Sequence, residues 1–91
     1  MALGMYFTPS SLTPEAYDEV VSRLEAVGAS APPGRLSHAA LESGGRIQVF
    51  EVWESAEAFQ AFGATLVPIL AELGIDPGEP QASPVRNLIV C

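Results

Sequence analysis

The chain has 91 residues, of which 48% are hydrophobic, and its 11 acidic side chains outnumber four arginines to give a net charge of −7. A chain of this length makes one domain, residues 1–91, with a thin core that a partner subunit can supplement. The apolar fraction is too high for a disordered chain, and the negative charge argues against nucleic acid and an anionic membrane surface as partners.

Cysteine and histidine are too scarce for the common metal sites. Cys91 is the only cysteine and His38 the only histidine, so no internal disulfide can form, and we predict neither a metal nor a cofactor. The first residues lack the basic segment of a signal peptide, and no apolar run approaches the roughly 20 residues of a membrane span. We therefore expect a cytoplasmic protein.

The first half of the chain predicts a strand followed by a helix. Residues 2–7 are apolar and suit a short strand. Thr13 is a good N-cap and Pro14 suits the first helical position, so a helix should begin there and end at Gly28. Tyr17 lies on the apolar stripe of this helix and is interpreted as a packing residue.

Two strands should follow, joined by a tight turn. Residues 35–42 and 46–54 read as strands, and Ser43-Gly44-Gly45 between them is typical of a hairpin. The second of these strands alternates with a period of two, whereas the apolar residues after Ser55 follow helical spacing.

The last elements are a helix and a strand. Ser55 should cap the second helix and Gly74 should end it, with a bend near residues 63–65 because Pro68 cannot donate its backbone hydrogen bond. Residues 81–90 read as the final strand, in which Pro84 marks a bulge or an edge position. The order βαββαβ is that of the ferredoxin-like α+β fold, with both helices on one face of a four-stranded antiparallel sheet.

The hairpin turn sets which residues face each other. A two-residue turn at Gly44-Gly45 would pair Ser43 with Arg46. Three more cross-strand pairs follow from it: Ala40 with Val49, His38 with Glu51, and Leu36 with Trp53. A three-residue turn would instead pair His38 with Phe50. We expect the face with His38, Glu51 and Trp53 to lie away from the helices, because the opposite face is aliphatic enough to sit under them: Ala39, Leu41, Phe50 and Val52.

An apolar face left bare on a small protein predicts a homodimer. Facing sheets would enclose a cleft for a small apolar or aromatic ligand. His38 and Glu51 are the candidate catalytic residues, as a proton-handling pair. The candidate ligand-binding residues are Trp53, Leu36, Val49 and Asn87, although the alternation does not decide whether Asn87 or Arg86 faces the cleft.

The segment EVWESAE, residues 51–57, together with the order of elements, resembles the dimeric α+β barrel proteins. Among these it is most similar to the antibiotic-biosynthesis monooxygenase-like domains, whose third strand often ends in Glu-x-Trp before an acidic-capped helix. The resemblance implies a homodimeric barrel. The proteins it resembles include cofactor-free monooxygenases, haem-degrading enzymes, and many stress proteins and proteins of unknown function.

Two departures from these relatives narrow the activities that the resemblance implies. The monooxygenase-like members commonly carry a histidine in the second helix where this chain has Phe62, and a monooxygenase could use His38 instead. The haem-degrading members use an Asn on the first strand, and a Trp and a His on the second helix, all of which are missing here. Three hypotheses remain: a small-molecule-binding barrel, a cofactor-independent monooxygenase acting on a flat substrate, and a non-catalytic dimeric assembly or regulatory module.

Overall fold

The computed structural model describes residues 2–91. Its elements in chain order are β1 (Leu3–Phe7), α1 (Pro14–Ala26), β2 (Arg35–Ser43), β3 (Arg46–Trp53), α2 (Ala56–Glu72) and β4 (Gln81–Pro84). The strands form one antiparallel sheet in the order β2-β3-β1-β4, and both helices pack on the same face of it. The expected ferredoxin-like α+β fold is confirmed. No helix within residues 2–91 has the length and apolarity needed to cross a bilayer.

Both helices begin at the predicted caps. The Thr13 hydroxyl accepts a hydrogen bond from the Ala16 backbone N–H at 3.1 Å, and the Ser55 hydroxyl accepts one from Ala58 at 3.2 Å. Each cap satisfies an N–H that the helix itself leaves unpaired. Helix α2 runs without interruption across Pro68, and the bend expected before this proline stays a prediction.

The β2–β3 turn has the predicted two-residue geometry. Gly44 and Gly45 have φ angles of 60° and 78°, which a type I′ turn requires at both central positions. Ser43 therefore pairs with Arg46, and the alternative three-residue register is excluded.

The register away from the turn holds only as far as a bulge near the start of β2. His38 lies opposite Glu51 as predicted, but a shift between Arg35 and Ser37 places Arg35, and not Leu36, opposite Trp53. The predicted Leu36–Trp53 pair is therefore wrong. The bulge places Arg35 beside the buried end of β3, opposite Trp53.

The prediction of which face is bare was also wrong. Ile47, Val49 and Trp53 are only 5%, 8% and 0% exposed and pack with side chains of both helices, so the face with His38 and Glu51 lies under the helices. The outward face carries residues such as Leu41 (49% exposed) and Phe50 (44% exposed). Both faces are apolar enough to be covered by helices, so the size and aliphatic character of the side chains did not identify the covered face.

The final strand is shorter than predicted. β4 pairs with β1 only from Gln81 to Pro84, and Pro84 has no N–H to extend the ladder. One backbone bond, from Val85 N–H to the Ala2 carbonyl at 2.9 Å, continues beyond it. β4 is an edge strand, as the proline indicated, but the chain after Val85 forms no further strand.

Candidate functional site

A cavity of about 210 Å³ lies between the helices and the sheet. Its walls are mainly aliphatic and aromatic side chains of α1 and α2, including Val20, Val21, Leu24, Phe62, Leu66 and Leu70. Polar groups converge on it from α1, β2 and β3: Tyr17, Arg35, His38 and Glu51. An apolar pocket with a few convergent polar groups is the usual form of a small-molecule site.

Glu51 lies at the centre of these polar side chains. Its side chain is 7% exposed, and its two oxygens accept from His38 Nδ1 at 2.6 Å and from Trp53 Nε1 at 3.0 Å. Arg35 Nη1 forms a longer ion pair with it at 3.5 Å. Burying a carboxylate is costly unless it is paired and hydrogen-bonded, and these three donors supply that compensation.

Tyr17 extends the hydrogen-bonded chain to the far side of the imidazole. Its Oη lies 2.7 Å from His38 Nε2, and the two rings are nearly parallel, with centroids 6.1 Å apart. Burial is the main cause that raises the pKa of Tyr17; Glu51 and Asp18 add to the rise, whereas Arg35 opposes it. The phenol therefore stays protonated at neutral pH.

The two ring nitrogens of His38 thus contact two different oxygens. A carboxylate can only accept, so His38 Nδ1 is the donor toward Glu51, whereas the Tyr17 hydroxyl can donate to His38 Nε2 or accept from it. The helical spacing of Tyr17 indicated only a packing role; the signal for more is that a tyrosine hydroxyl on a buried helix stripe needs a polar partner.

Trp53 lies in the core behind Glu51, away from the cavity wall where a ligand-binding role would place it. It is fully buried, and its ring packs against Phe59 and Phe62 with centroid distances of 5.5 Å to each. Its indole N–H holds one carboxylate oxygen, so Trp53 positions the Glu51 side chain.

Arg35 was not among the predicted site residues. Its side chain is 18% exposed, and Nη2 donates to the Ser30 carbonyl at 2.9 Å while the guanidinium lies 5.9 Å from the centre of the Phe62 ring. These contacts, together with the Glu51 pair, fix the cation beside the cavity. Its position depends on the β2 bulge, which no sequence pattern marked.

The other predicted site residues are divided between the two faces. Val49 lines the cavity with His38 and Glu51. Leu36 is 49% exposed and lies outside the cavity, and Asn87 borders a shallow depression on the outward face, together with Arg86. Within residues 2–91, no group of three or more His, Cys, Asp or Glu side chains could hold a metal ion.

No family model and no curated protein sequence matches this chain. Several solved structures are similar to it. A protein from Chloroflexus aurantiacus J-10-fl, provisionally assigned as an antibiotic biosynthesis monooxygenase, is 24% identical, with a TM-score of 0.67 and all of both chains covered. SnoaB, a cofactor-independent oxygenase from Streptomyces nogalater, is 21% identical with a TM-score of 0.62, covering 97% of this chain and 94% of SnoaB.

MupZ from Pseudomonas fluorescens is 17% identical with a TM-score of 0.61, covering 89% of this chain and 68% of MupZ. Identities this low establish the fold and not the activity. The chain has the fold of the antibiotic-biosynthesis monooxygenase-like proteins, as the resemblance of residues 51–57 implied.

Proposed function

We propose that the protein binds a small, flat and mostly apolar molecule in the cavity between the helices and the sheet. The observation that supports this most strongly is an apolar cavity with one hydrogen-bonded chain, Tyr17–His38–Glu51, at its wall. This location replaces the cleft on the bare sheet face that the sequence suggested.

The size of the cavity limits the ligand. Its volume of about 210 Å³ is below the range of roughly 300–1,000 Å³ that is usual for drug-sized ligands. A molecule with one or two rings is therefore the expected occupant. Water is a poor alternative across most of the space, because apolar walls offer it few hydrogen bonds.

A cofactor-independent oxygenase is the second candidate function. His38 is the candidate base, and because both of its ring nitrogens are hydrogen-bonded, a proton from an acidic bound substrate would reach it through the Tyr17 hydroxyl. The resulting electron-rich anion would be the electron donor to molecular oxygen. The structural similarity to SnoaB favours this candidate at the level of the fold only. Stoichiometric uptake of oxygen with an identified substrate, lost in His38→Ala, is the test.

The outward face of the sheet supports a homodimer as the oligomeric state. Leu41, Phe50 and Leu88 are 49%, 44% and 39% exposed, which makes an apolar patch that a second copy would cover. This is the proposed dimer interface, on the face opposite to the one expected from sequence. The cavity lies on the other side of the sheet, so ligand binding and dimer formation would use separate surfaces.

A matched pair of substitutions tests the proposed cavity. Val21 lines the cavity, whereas Val67 on α2 is 59% exposed and lies outside it. We expect Val21→Phe to weaken binding of α-methoxynaphthalene by about tenfold or more, since overpacking costs about 1–3 kcal/mol. Val67→Phe should bind as the wild type does. Equal affinities for the two variants, or no saturable binding to the wild type, would refute the proposed cavity.

A further inference from the structure

We propose that the C-terminal half of α2, residues 64–72, is a lid on the cavity between the helices and the sheet. The lid is hinged at Gly63 and Pro68, and the Arg23–Glu72 ion pair holds it closed against α1. This inference rests on the proposed function, because a ligand would enter the same cavity when the lid opens. It concerns how the cavity opens, whichever molecule binds there.

The N-terminal half of α2 is fixed to the core. The Ser55 hydroxyl caps its first turn, and Phe59 and Phe62 pack against the fully buried Trp53 with centroid distances of 5.5 Å to each. The Arg35 guanidinium lies 5.9 Å from the centre of the Phe62 ring on another side. Moving this half would break several close aromatic contacts at once, so it should stay with the sheet.

The C-terminal half of α2 has fewer contacts to lose. Leu66 and Leu70 line the cavity, so part of each side chain adjoins empty space and lacks the dispersion contacts of a filled core. Val67 is 59% exposed, and Pro68 and Glu72 also lie at the surface. This half can therefore move away from α1 at a lower cost than the first half.

Two residues weaken the helix between these halves. A Cβ atom at Gly63 would meet no other heavy atom within 4 Å among the described residues, and the backbone there is helical, so neither packing nor conformation requires a glycine. A glycine inside a helix weakens it relative to alanine. Pro68 has no N–H, so it cannot donate the usual helical hydrogen bond to the Ala64 carbonyl. Helix α2 should bend most easily between these positions.

An ion pair joins the end of the lid to α1. Arg23 Nη1 binds Glu72 Oε2 at 2.8 Å, and Arg23 Nε binds Glu19 at 3.1 Å, which holds the guanidinium in place. The Arg23 and Glu72 side chains are 39% and 68% exposed, so water and salt compete for them and the pair is weak. A weak pair at the end of the lid favours the closed position and still lets the lid open.

The rate at which a buried thiol is labelled measures the opening without a ligand. Val20 lines the cavity from α1 and is 7% exposed, so Val20→Cys, in a Cys91→Ser background, places a thiol under the lid. Val52→Cys is the matched control, because Val52 is 2% exposed and borders the depression on the outward face. The reagent is a water-soluble aromatic disulfide, and the rates are measured at several low concentrations of urea.

We expect Val20→Cys to be labelled faster, by about tenfold or more, than its equilibrium constant for unfolding allows, with little dependence on urea. Val52→Cys should be labelled at the rate that unfolding allows, with a steep dependence. In the urea-independent range, Glu72→Gln should speed the labelling of Val20→Cys by about two- to fivefold, and Gly63→Ala should slow it by a similar factor. Glu25→Gln removes an exposed charge from α1 outside the ion pair and should leave the rate unchanged.

The binding kinetics of α-naphthol, a fluorescent two-ring probe, connect the lid to the ligand. If the lid gates entry, Glu72→Gln should raise the association and dissociation rate constants by the same factor, about two- to fivefold, and leave Kd unchanged. A general loosening of the cavity would instead raise the dissociation rate constant alone and weaken Kd.

The two measurements separate failure of the lid from failure of the proposed function. Labelling of Val20→Cys that follows global unfolding, or that responds to neither Glu72→Gln nor Gly63→Ala, would overturn the lid even if α-naphthol binds. Labelling that responds as expected, without saturable binding of α-naphthol, would support the lid and refute the proposed function.

Discussion

Replacing Glu51 by alanine should destabilise the protein strongly, because three donors lose their acceptor at once. The most costly loss is at Trp53, whose indole N–H is 3.0 Å from the carboxylate and whose side chain is fully buried. An orphaned buried donor costs about 1–3 kcal/mol. His38 and Arg35 have side chains that are 25% and 18% exposed, so each can recover part of its loss by turning to water.

Together these losses predict a decrease of about 3–5 kcal/mol in the free energy of unfolding, the range observed when one member of a buried charged pair is removed. Glu51→Gln keeps an acceptor for Trp53, so its decrease should be smaller, about 1–2 kcal/mol. Urea denaturation at neutral pH measures both. Glu42→Ala removes an exposed carboxylate on β2 and should stay within about 0.5 kcal/mol of the wild type.

A loss below about 1 kcal/mol for Glu51→Ala would refute the reasoning. Equal losses for the alanine and glutamine variants would also contradict it, because Trp53 would then not depend on the acceptor oxygen. A changed slope of the denaturation curve would indicate an altered denatured or native ensemble, and the comparison would then rest on the thermal midpoints.

Three further predictions concern pH, capping and assembly. Burial raises the pKa of Tyr17. The stability that its neutral form contributes is therefore complete below the unfolded tyrosine pKa of about 10, and it is lost as pH rises through the higher folded value. Urea titrations at alkaline pH should show this loss in the wild type and a flatter profile in Tyr17→Phe, and identical profiles would contradict the prediction. Ser55→Ala should lower the free energy of unfolding by about 1 kcal/mol in thermal unfolding, since the Ala58 N–H loses its acceptor; an unchanged midpoint would show that water caps the helix equally well. Phe50→Glu should convert the proposed dimer to a folded monomer in sedimentation equilibrium, and a wild type that is already monomeric at micromolar concentration would reject the interface.

The local pattern of the sequence determined much of the fold. Two adjacent glycines between alternating strands required a type I′ turn, and that turn alone placed His38 opposite Glu51. Thr13 and Ser55 marked the helix starts because their hydroxyls satisfy backbone N–H groups that have no partner within the helix. These features depend on neighbouring residues, so a sequence pattern can reveal them.

The choice of the helix-covered face depended on packing between distant elements, and here the interpretation failed. The opposite face was expected under the helices because its residues are small or aliphatic, but the helices cover the face with Glu51, where Trp53 and Arg35 supply the hydrogen bonds that make a buried carboxylate tolerable. One signal was present in the sequence. Arg46 and Gln48 share a face of β3 with Phe50, which makes that face of the strand the more polar one and favours its exposure.

The bulge after Arg35 and the contact from Tyr17 could not be read from the sequence. A bulge shifts the register of a strand by one residue without a distinct composition, and it placed the guanidinium beside Glu51. The Tyr17–His38 contact joins residues 21 positions apart on a helix and a strand, and it depends on how α1 lies across the sheet.

The position of bound α-naphthol, determined from nuclear Overhauser effects to labelled methyl groups, tests the location of the ligand site most directly. We expect contacts with the methyl groups of Val21, Val49 and Leu66, which line the cavity between the helices and the sheet. Contacts with Val52 and Leu88 instead, at the depression on the outward face, would contradict the proposed site.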